Sequence, residues 1–598
     1  MIAALLFISF ALTLNFNNLT SELILAGIIA LPVILFVYFA VFRIFKLYNV
    51  IWRYASASQY LKLFAASLIS TVIFTSVAVP LIGDTMPNLL DICLMVGSYH
   101  IIIIIMSRLA YSIYRKKTSA SKYSGNVKHK RTLIVGAGWT ASAILNELKE
   151  KNSSLFPVGF VDDDKDKQKR EINDIPICGT TEDIPKICSE LEIDTILFAI
   201  PSCDSANRRR IINICMKTKC EIKVLPYMHK LVENSDMVSQ IQSVKIEDLL
   251  GREQVDVKSP EVTRFIKDKI CLVTGGGGSI GSELVRQLAL CSPAKILIID
   301  SYENGAYDIQ QEIKNKHPEV SLHVEIFSVA DYDRLDKFFL ENKPDIVFHA
   351  AAHKHVPLME TNPEQAVKNN VVGTFNTAKA AAKYKTKRFV LISTDKAVNP
   401  TNVMGATKKI CELIMSYMTS LKTDTSFVAV RFGNVLGSNG SVIPLFKKQI
   451  EMGGPVTVTH PDIIRYFMTI PEAVALVMRT SVLAKGGEIF VLDMGEQVKI
   501  LTLVENLIKL SGFEPYTEIP VQFIGLRPGE KLYEELLIKE DGLEKTAESK
   551  IFVTKQVPID KEKFEKDIDT LVSLANKNDA YAVIEKIKEI VPTFHHNA

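Results

Sequence analysis

An acid and a base stand side by side in Thr394-Asp395-Lys396, directly after the apolar stretch 389–392, which reads as a buried strand. At the carboxyl end of a parallel strand, where ligands of open α/β sheets bind, such a pair can give one proton and take another. The same two residues can also form a plain ion pair at a strand end, and the motifs around them weigh against that. Lys408 follows twelve residues after Lys396, and Met404 precedes it by four, which puts both on one helix face. A second pattern lies upstream, in Thr274-Gly275-x-x-Gly278-Ser279-Ile280-Gly281 after the apolar stretch 270–273. Strand, glycine turn and helix in this order bring backbone N–H groups against a pyrophosphate at the positive helix end. Asp300 closes the next apolar stretch, 295–299, nineteen residues beyond Gly281. A carboxylate there accepts from a ribose 2′-hydroxyl and repels a 2′-phosphate, which favours NAD over NADP.

The elements that must position these residues repeat along the chain. Residues 132–141 form an apolar stretch running into Gly136-x-Gly138-x-x-Ala141, and a second stretch, 156–161, ends at Asp162, Asp163 and Asp164. This is the first βα unit of a doubly wound parallel sheet, with 195–200 as a further buried strand. Packing alone needs the same turn, so nucleotide binding there stays open. The fold class expected is therefore α/β, with two Rossmann-like domains, at 131–250 and at 251–598. The second ends in a smaller substrate-binding part.

Ahead of both domains, residues 1–16, 23–42, 63–82 and 89–106 are apolar runs of about spanning length, so a four-helix transmembrane anchor is expected over 1–107. The first run lacks a basic start and a small-x-small site and is read as a span rather than a cleaved leader. Arg43, Lys46, Arg53 and Lys62 fall between the second and third runs, and eight Lys or Arg residues fall within the linker 108–130 and at Arg131. The loops 17–22 and 83–88 have none. By the positive-inside rule the basic segments and everything downstream are cytoplasmic. The lipid bilayer is thus one expected partner, and the bacterial inner membrane the expected location.

A formal charge of +3 over 598 residues gives no general basic field, so no nucleic-acid partner is expected. The nine cysteines include no Cys-x-x-Cys pair, and His349, His353 and His355 have no cysteine beside them, so no metal site is expected. His460 before Pro461 reads as a turn residue, and 559–590 as closing helices.

Several further motifs are shared with a known group: His349-Ala350-Ala351-Ala352, His353-Lys354-His-Val-Pro-Leu-Met-Glu360, Asn370 in Asn-Val-Val-Gly-Thr, Ser393-Thr-Asp-Lys-Ala, Arg431-Phe-Gly-Asn-Val-Leu-Gly437 and Leu526-Arg-Pro-Gly-Glu-Lys-Leu532. With them the chain resembles the extended short-chain dehydrogenases, and over nearly its whole length the membrane-bound nucleotide-sugar 4,6-dehydratases of bacterial polysaccharide and protein-glycan synthesis, including those acting on UDP-N-acetylglucosamine. The resemblance implies an NAD-dependent lyase that oxidises C4 of the sugar, removes the C5 proton, expels the C6 hydroxyl and returns hydride to C6. It implies Asp395 as the acid at C6, Lys396 as the base at C5 and Thr394 near O4. It assigns the NAD site to Thr274, Gly275, Gly278, Ser279, Ile280, Gly281, Asp300, Ala350, Ala351, Ala352, Asn370 and Lys408. The UDP-sugar falls to His353, Lys354, Asn434, Ser438, Val442, Arg465, Arg527 and Glu530. Most of this superfamily has tyrosine where this chain has Met404, and a thioether cannot accept the O4 proton. Asp395, Thr394 or a bound water is left to relay it. The resemblance further implies a homo-oligomer and, downstream, an aminotransferase or glycan-assembly enzymes. A 4-epimerase, a C5-inverting dehydratase and a non-catalytic UDP-sugar-sensing membrane scaffold are the other readings. Met404 opposes the first, and an intact acid-base pair opposes the last.

Overall fold

The computed structural model describes residues 21–49, 57–82, 89–121, 129–150, 153–226, 237–249, 259–535, 544–555 and 558–596. The chain divides into two units, residues 1–129 with 148–154, and residues 130–147 with 155–598. Among the described residues of the first unit lie three long helices, Ser21–Ile44, Ala57–Ile82 and Leu89–Ser121. Two stretches, Ser58–Pro80 and Leu89–Ala110, are long and apolar enough to cross a bilayer, with mean hydropathy 1.9 and 2.2. The apolar stretch Pro32–Ile44 is shorter. Four spans were expected, and the described residues give two; the run 1–16 lies outside them. Large apolar side chains on these helices face outward, Phe36 being 73% exposed. Between the helices Tyr38 and Thr71 share a hydrogen bond of 2.8 Å, and a Cβ on Gly97 would run into Thr71, so the small residue sets how closely the two helices pack.

The second unit holds two large sheets. The first runs through β1 (Lys130–Val135), β2 (Leu155–Val161), β3 (Glu171–Ile172), β4 (Ile175–Gly179), β5 (Thr195–Phe198), β6 (Glu221–Val224) and β7 (Gln242–Ser243), in the order β3-β4-β2-β1-β5-β6-β7. Its central strands are parallel and buried, as their continuous Leu, Ile, Val and Phe content requires. Asp162 at the end of β2 accepts from the Ala137 N–H at 2.7 Å and pairs with Lys167 at 3.1 Å. Asp163 takes the Thr181 N–H at 2.8 Å and Arg210 at 2.9 Å.

The second sheet is built on β8 (Ile270–Thr274), β9 (Lys295–Asp300), β10 (Leu322–Ile326), β11 (Ile346–His349), β12 (Arg388–Ile392) and β13 (Ser426–Arg431). The chain then gives β14 (Asn434–Val435), β15 (Val456–Val458), β16 (Ile464–Met468), β17 (Glu488–Leu492), β18 (Gln497–Lys499), β19 (Val521–Phe523), β20 (Glu544–Lys545) and β21 (Ile551–Lys555). The order is β10-β9-β8-β11-β12-β13-β17-β21-β20, parallel as far as β17. It reverses direction between β8 and β11, the crevice where doubly wound sheets bind ligands. Strands β14, β16 and β18 form a small sheet, and β15 pairs with β19; with the helices Val442–Glu451 and Ile500–Leu510 they make the smaller C-terminal part. The helices Lys561–Asn576 and Ala580–Ile590 pack through Phe564, Leu571 and Ile587 into the core that also holds the helix Val403–Ser420.

Candidate active site

Backbone geometry at the end of β8 forms the first half of the site. Gly275 has φ +69°, and a Cβ there would come within 2.8 Å of the Ala351 nitrogen, so the turn lies directly against the loop after β11. Gly281 packs its Cα face on the Gly275 carbonyl, which lets the helix Ser279–Ala289 start at the turn. Asp300 accepts from the Gly277 N–H at 2.8 Å and from the Tyr302 N–H at 2.9 Å. These groups border a cavity of about 760 Å³ lined by Gly275, Gly278, Ser279, Asp300, Ala350, Ala351, Ala352 and His353. A glycine cradle at a helix N-terminus, with a carboxylate at the next strand end, fits a dinucleotide with an unphosphorylated ribose. Lys408 is buried with no hydrogen-bond or ion-pair partner among the described residues, and burial pushes its ammonium below the usual lysine range.

Three of the residues expected at the cofactor make contacts within the protein itself. Thr274 bonds His349 Nδ1 at 2.8 Å, and His349 Nε2 meets Thr374 at 3.0 Å. Full burial holds that imidazole down to about 3, so it is a neutral strut beneath the turn. Ile280 packs on the apolar core instead of the cavity. Asn370 is fully buried; its carbonyl accepts the His353 N–H at 2.7 Å, and its amide donates to the His353 carbonyl and Thr407 at 3.1 and 3.2 Å. It positions the loop 350–353, and its neighbour Asn369 is the one that lines the cavity.

The acid and base sit on the turn after β12. Asp395 is 1% exposed, and its Oδ1 accepts from Thr394 Oγ1 at 2.9 Å and from Lys396 Nζ at 3.0 Å. The Lys396 ammonium also donates to Asn434 Oδ1 at 3.3 Å and lies 3.5 Å from Glu534 Oε1. Burial by itself would lower Lys396, but the Asp395 and Glu534 carboxylates outweigh it and raise it above the usual lysine range. At rest the turn is an ion pair. Met404, one helical turn ahead of Lys408, is 4% exposed and belongs to the apolar core. It was expected beside the chemistry, and its side chain is taken up by that core.

A second cavity, of about 230 Å³, opens beside this turn and gathers Lys354, Lys396, Asn434, Val442, Arg465, Arg527, Glu530 and Glu534. Ser438 accepts from Lys354 at 3.4 Å, and the Asn439 N–H donates to Ser279 Oγ at 3.1 Å, so the loop 437–440 passes over the glycine turn. The two arginines differ. Arg465 donates to the carbonyls of Ile464, Lys531 and Leu532 at 2.8, 2.7 and 3.2 Å and to Glu530 at 3.3 Å, so it clamps the loop 530–532. Arg527 is exposed, with a side chain that has no partner among the described residues. A guanidinium so placed at a cavity wall can take an anionic group. Glu530 accepts the Arg527 N–H at 3.2 Å and shapes that loop.

A buried frame holds the turn from below. Arg431 at the end of β13 donates bidentately to Glu412 at 2.7 and 2.8 Å, and Ser393 donates to the same carboxylate at 2.8 Å. Gly405 in the helix Val403–Ser420 lies against the Lys396 carbonyl, where a Cβ would collide with the oxygen. Gly405→Ala therefore has to push the helix off the turn. A fall in kcat of about 10- to 100-fold with KM changed less than threefold is expected in steady-state kinetics, the scale of a 1 Å misplacement.

Glu534 and the Glu412–Arg431 pair were missed from sequence. Glu534 follows the Arg-Pro-Gly-Glu-Lys run by three residues, and Glu412 falls one helical turn past Lys408, the signal that would have found it.

A family model described as polysaccharide biosynthesis protein matches residues 271–556, and one described as CoA-binding domain matches residues 43–226. The probable polysaccharide biosynthesis protein EpsC of Bacillus subtilis (strain 168) is 44% identical over 505 residues, 83% of this chain and 82% of that protein. A protein of Methanocaldococcus jannaschii named as an uncharacterized membrane protein is 45% identical over 338 residues, 55% of this chain and 97% of the other. A UDP-glucose 4-epimerase of Rickettsia canadensis (strain McKiel) is 35% identical over 280 residues, 46% of this chain and 79% of that enzyme.

Proposed function

The chain belongs to the polysaccharide biosynthesis protein family, and on that premise we propose that it is a membrane-attached nucleotide-sugar 4,6-dehydratase. Its substrate is UDP-N-acetylglucosamine, and its product the 4-keto-6-deoxy sugar for bacterial glycan synthesis. The observation that carries this reading is the buried Asp395–Lys396 pair at the end of β12, opening on a cavity with a spare guanidinium, Arg527. An acid and a base in contact suit elimination across adjacent carbons, whereas moving one proton on and off O4 needs only one group.

NAD, when bound, supplies the hydride acceptor for C4 and the donor for C6; the Gly275–Gly281 turn, Asp300 and Lys408 are the residues to hold it. Thr394 takes the O4 proton while its own passes over 2.9 Å to Asp395. Asp395, now a neutral acid, protonates the departing C6 hydroxyl, and Lys396 takes the C5 proton. This relay needs no tyrosine, in keeping with methionine at 404. Arg527 and Lys354 meet the diphosphate.

We assign 1–107 to an anchor in the inner membrane with the rest cytoplasmic. The two apolar helices and the archaeal relative named as a membrane protein support this. The likeness to a 4-epimerase supports that activity as the second reading. NMR of UDP-N-acetylglucosamine incubated with NAD and the full-length protein in detergent separates them. A new C6 methyl group with loss of the hydroxymethyl signal is expected. An altered C4 coupling with the hydroxymethyl intact would make it an epimerase.

A further inference from the structure

The Lys396 amine cannot take a proton while it is an ammonium, and it rests between two carboxylates, Asp395 at 3.0 Å and Glu534 at 3.5 Å. The Asp395 oxygen that accepts from Lys396, Oδ1, also accepts from Thr394 at 2.9 Å. In the dehydratase reading, on which this inference rests, Asp395 holds the proton that came from O4 at the moment the C6 hydroxyl leaves. It cannot at that moment also hold the one shed by Lys396. Among the described residues Glu534 is the other carboxylate within 4 Å of the Lys396 nitrogen. Its side chain is 5% exposed, lines the same cavity, and has its other charged contact at 3.8 Å from Arg465.

We propose that Glu534 takes the ammonium proton of Lys396 and so frees the amine that deprotonates C5. The transfer converts one ammonium and one carboxylate into a neutral amine and a neutral acid, with no net change in charge. Burial lowers the cost of that exchange, because it removes two charges from a poorly solvated site, and it works against the carboxylate attraction that holds the resting pair charged. The amine then takes the C5 proton and becomes an ammonium again. After C6 has become a methyl group, Lys396 returns that proton to C5, and Glu534 returns its own to Lys396. The resting ion pair is restored and the protons balance. The charged groups facing Lys396 are Asp395, Glu534 and, behind Glu534, Arg465 with its partner Glu530. Glu534 acts through Lys396 and is a positioning and proton-holding residue.

The test compares full-length wild type, Glu534→Gln and Glu534→Asp in D2O. With Glu534→Gln, turnover is expected to fall about 100-fold or more, with KM for UDP-N-acetylglucosamine within threefold and deuterium entry at C5 lost in parallel. The rising limb of kcat against pH is expected to move upward, because Lys396 must then shed its proton to solvent. Glu534→Asp is expected to recover at least a tenth of the rate. If Glu534 only held Lys396 charged, Glu534→Gln would move that limb to lower pH and keep or raise the rate, and the proposal would fail. Loss of substrate binding in step with turnover would make Glu534 structural and would equally overturn it. A wild-type protein that dehydrates no UDP-sugar would sink the parent reading instead, a result visible before any variant is made.

Discussion

Asp395→Asn is expected to lower turnover by about 10³-fold or more while sugar-nucleotide binding stays within threefold. The amide keeps the size of the carboxylate and can still accept from Thr394, but it neither takes the relayed O4 proton nor gives one to the C6 oxygen. General acid–base groups contribute about 10² to 10⁴ in rate, and in the proposed relay this one serves two successive steps. Asp395 is 1% exposed, so water cannot easily replace it. Its main chain is held by the Phe432 carbonyl, which accepts the Asp395 N–H at 3.1 Å, so the turn survives the change of side chain. Steady-state kinetics alongside equilibrium binding of UDP-N-acetylglucosamine checks this. Equal losses in binding and turnover would show the residue to be a structural ion-pair member.

Glu412→Gln costs about 3 to 5 kcal/mol of stability, the range for breaking one side of a buried ion pair. Glu412 and Arg431 are each 1% exposed in their side chains and joined by two hydrogen bonds, so the variant removes the charged carboxylate from a buried bidentate pair. Burial by itself would raise the Glu412 carboxyl, but Arg431, with Lys409 and Ser393, outweighs it and holds it down to about 2 from 4.5. A folded value below the unfolded one stabilises the fold above the unfolded value and loses that contribution as pH falls through the folded one. Wild-type stability should therefore decline between about pH 4.5 and 2 more steeply than that of Glu412→Gln. Denaturant unfolding at several pH values measures both the offset at neutral pH and the difference in slope. Ser393 ties the same carboxylate to the residue before Thr394. Activity in the variant should fall in step.

The sequence made the framework of the catalytic sheet legible because its cues are local. A continuous apolar strand, a glycine turn and a carboxylate at the next strand end fall within thirty residues, and the fold brings them together at β8 and β9. Thr394, Asp395 and Lys396 were placed at a strand end by the apolar stretch before them, and β12 ends there. What sequence left hidden depends on contacts across long separations. Nothing near Arg465 or Arg527 tells which guanidinium is consumed by carbonyls and which has no partner among the described residues; the loop 530–532 decides it, some sixty-five residues after Arg465. Asn370 looks like a ligand of the cofactor, yet both ends of its amide are used on the His353 backbone and Thr407. Glu534 has no motif of its own and comes to Lys396 from 138 residues away, folded back by the same loop.

The most direct measurement follows one atom. UDP-N-acetylglucosamine carrying deuterium at C4 is incubated with the full-length protein, and the position of the label in the product is read by NMR and mass spectrometry. The account predicts that the deuterium leaves C4 and appears at C6 as a CH2D group, with the C6 hydroxyl gone. Deuterium retained at C4 in a product with an intact hydroxymethyl group would contradict it and establish epimerisation.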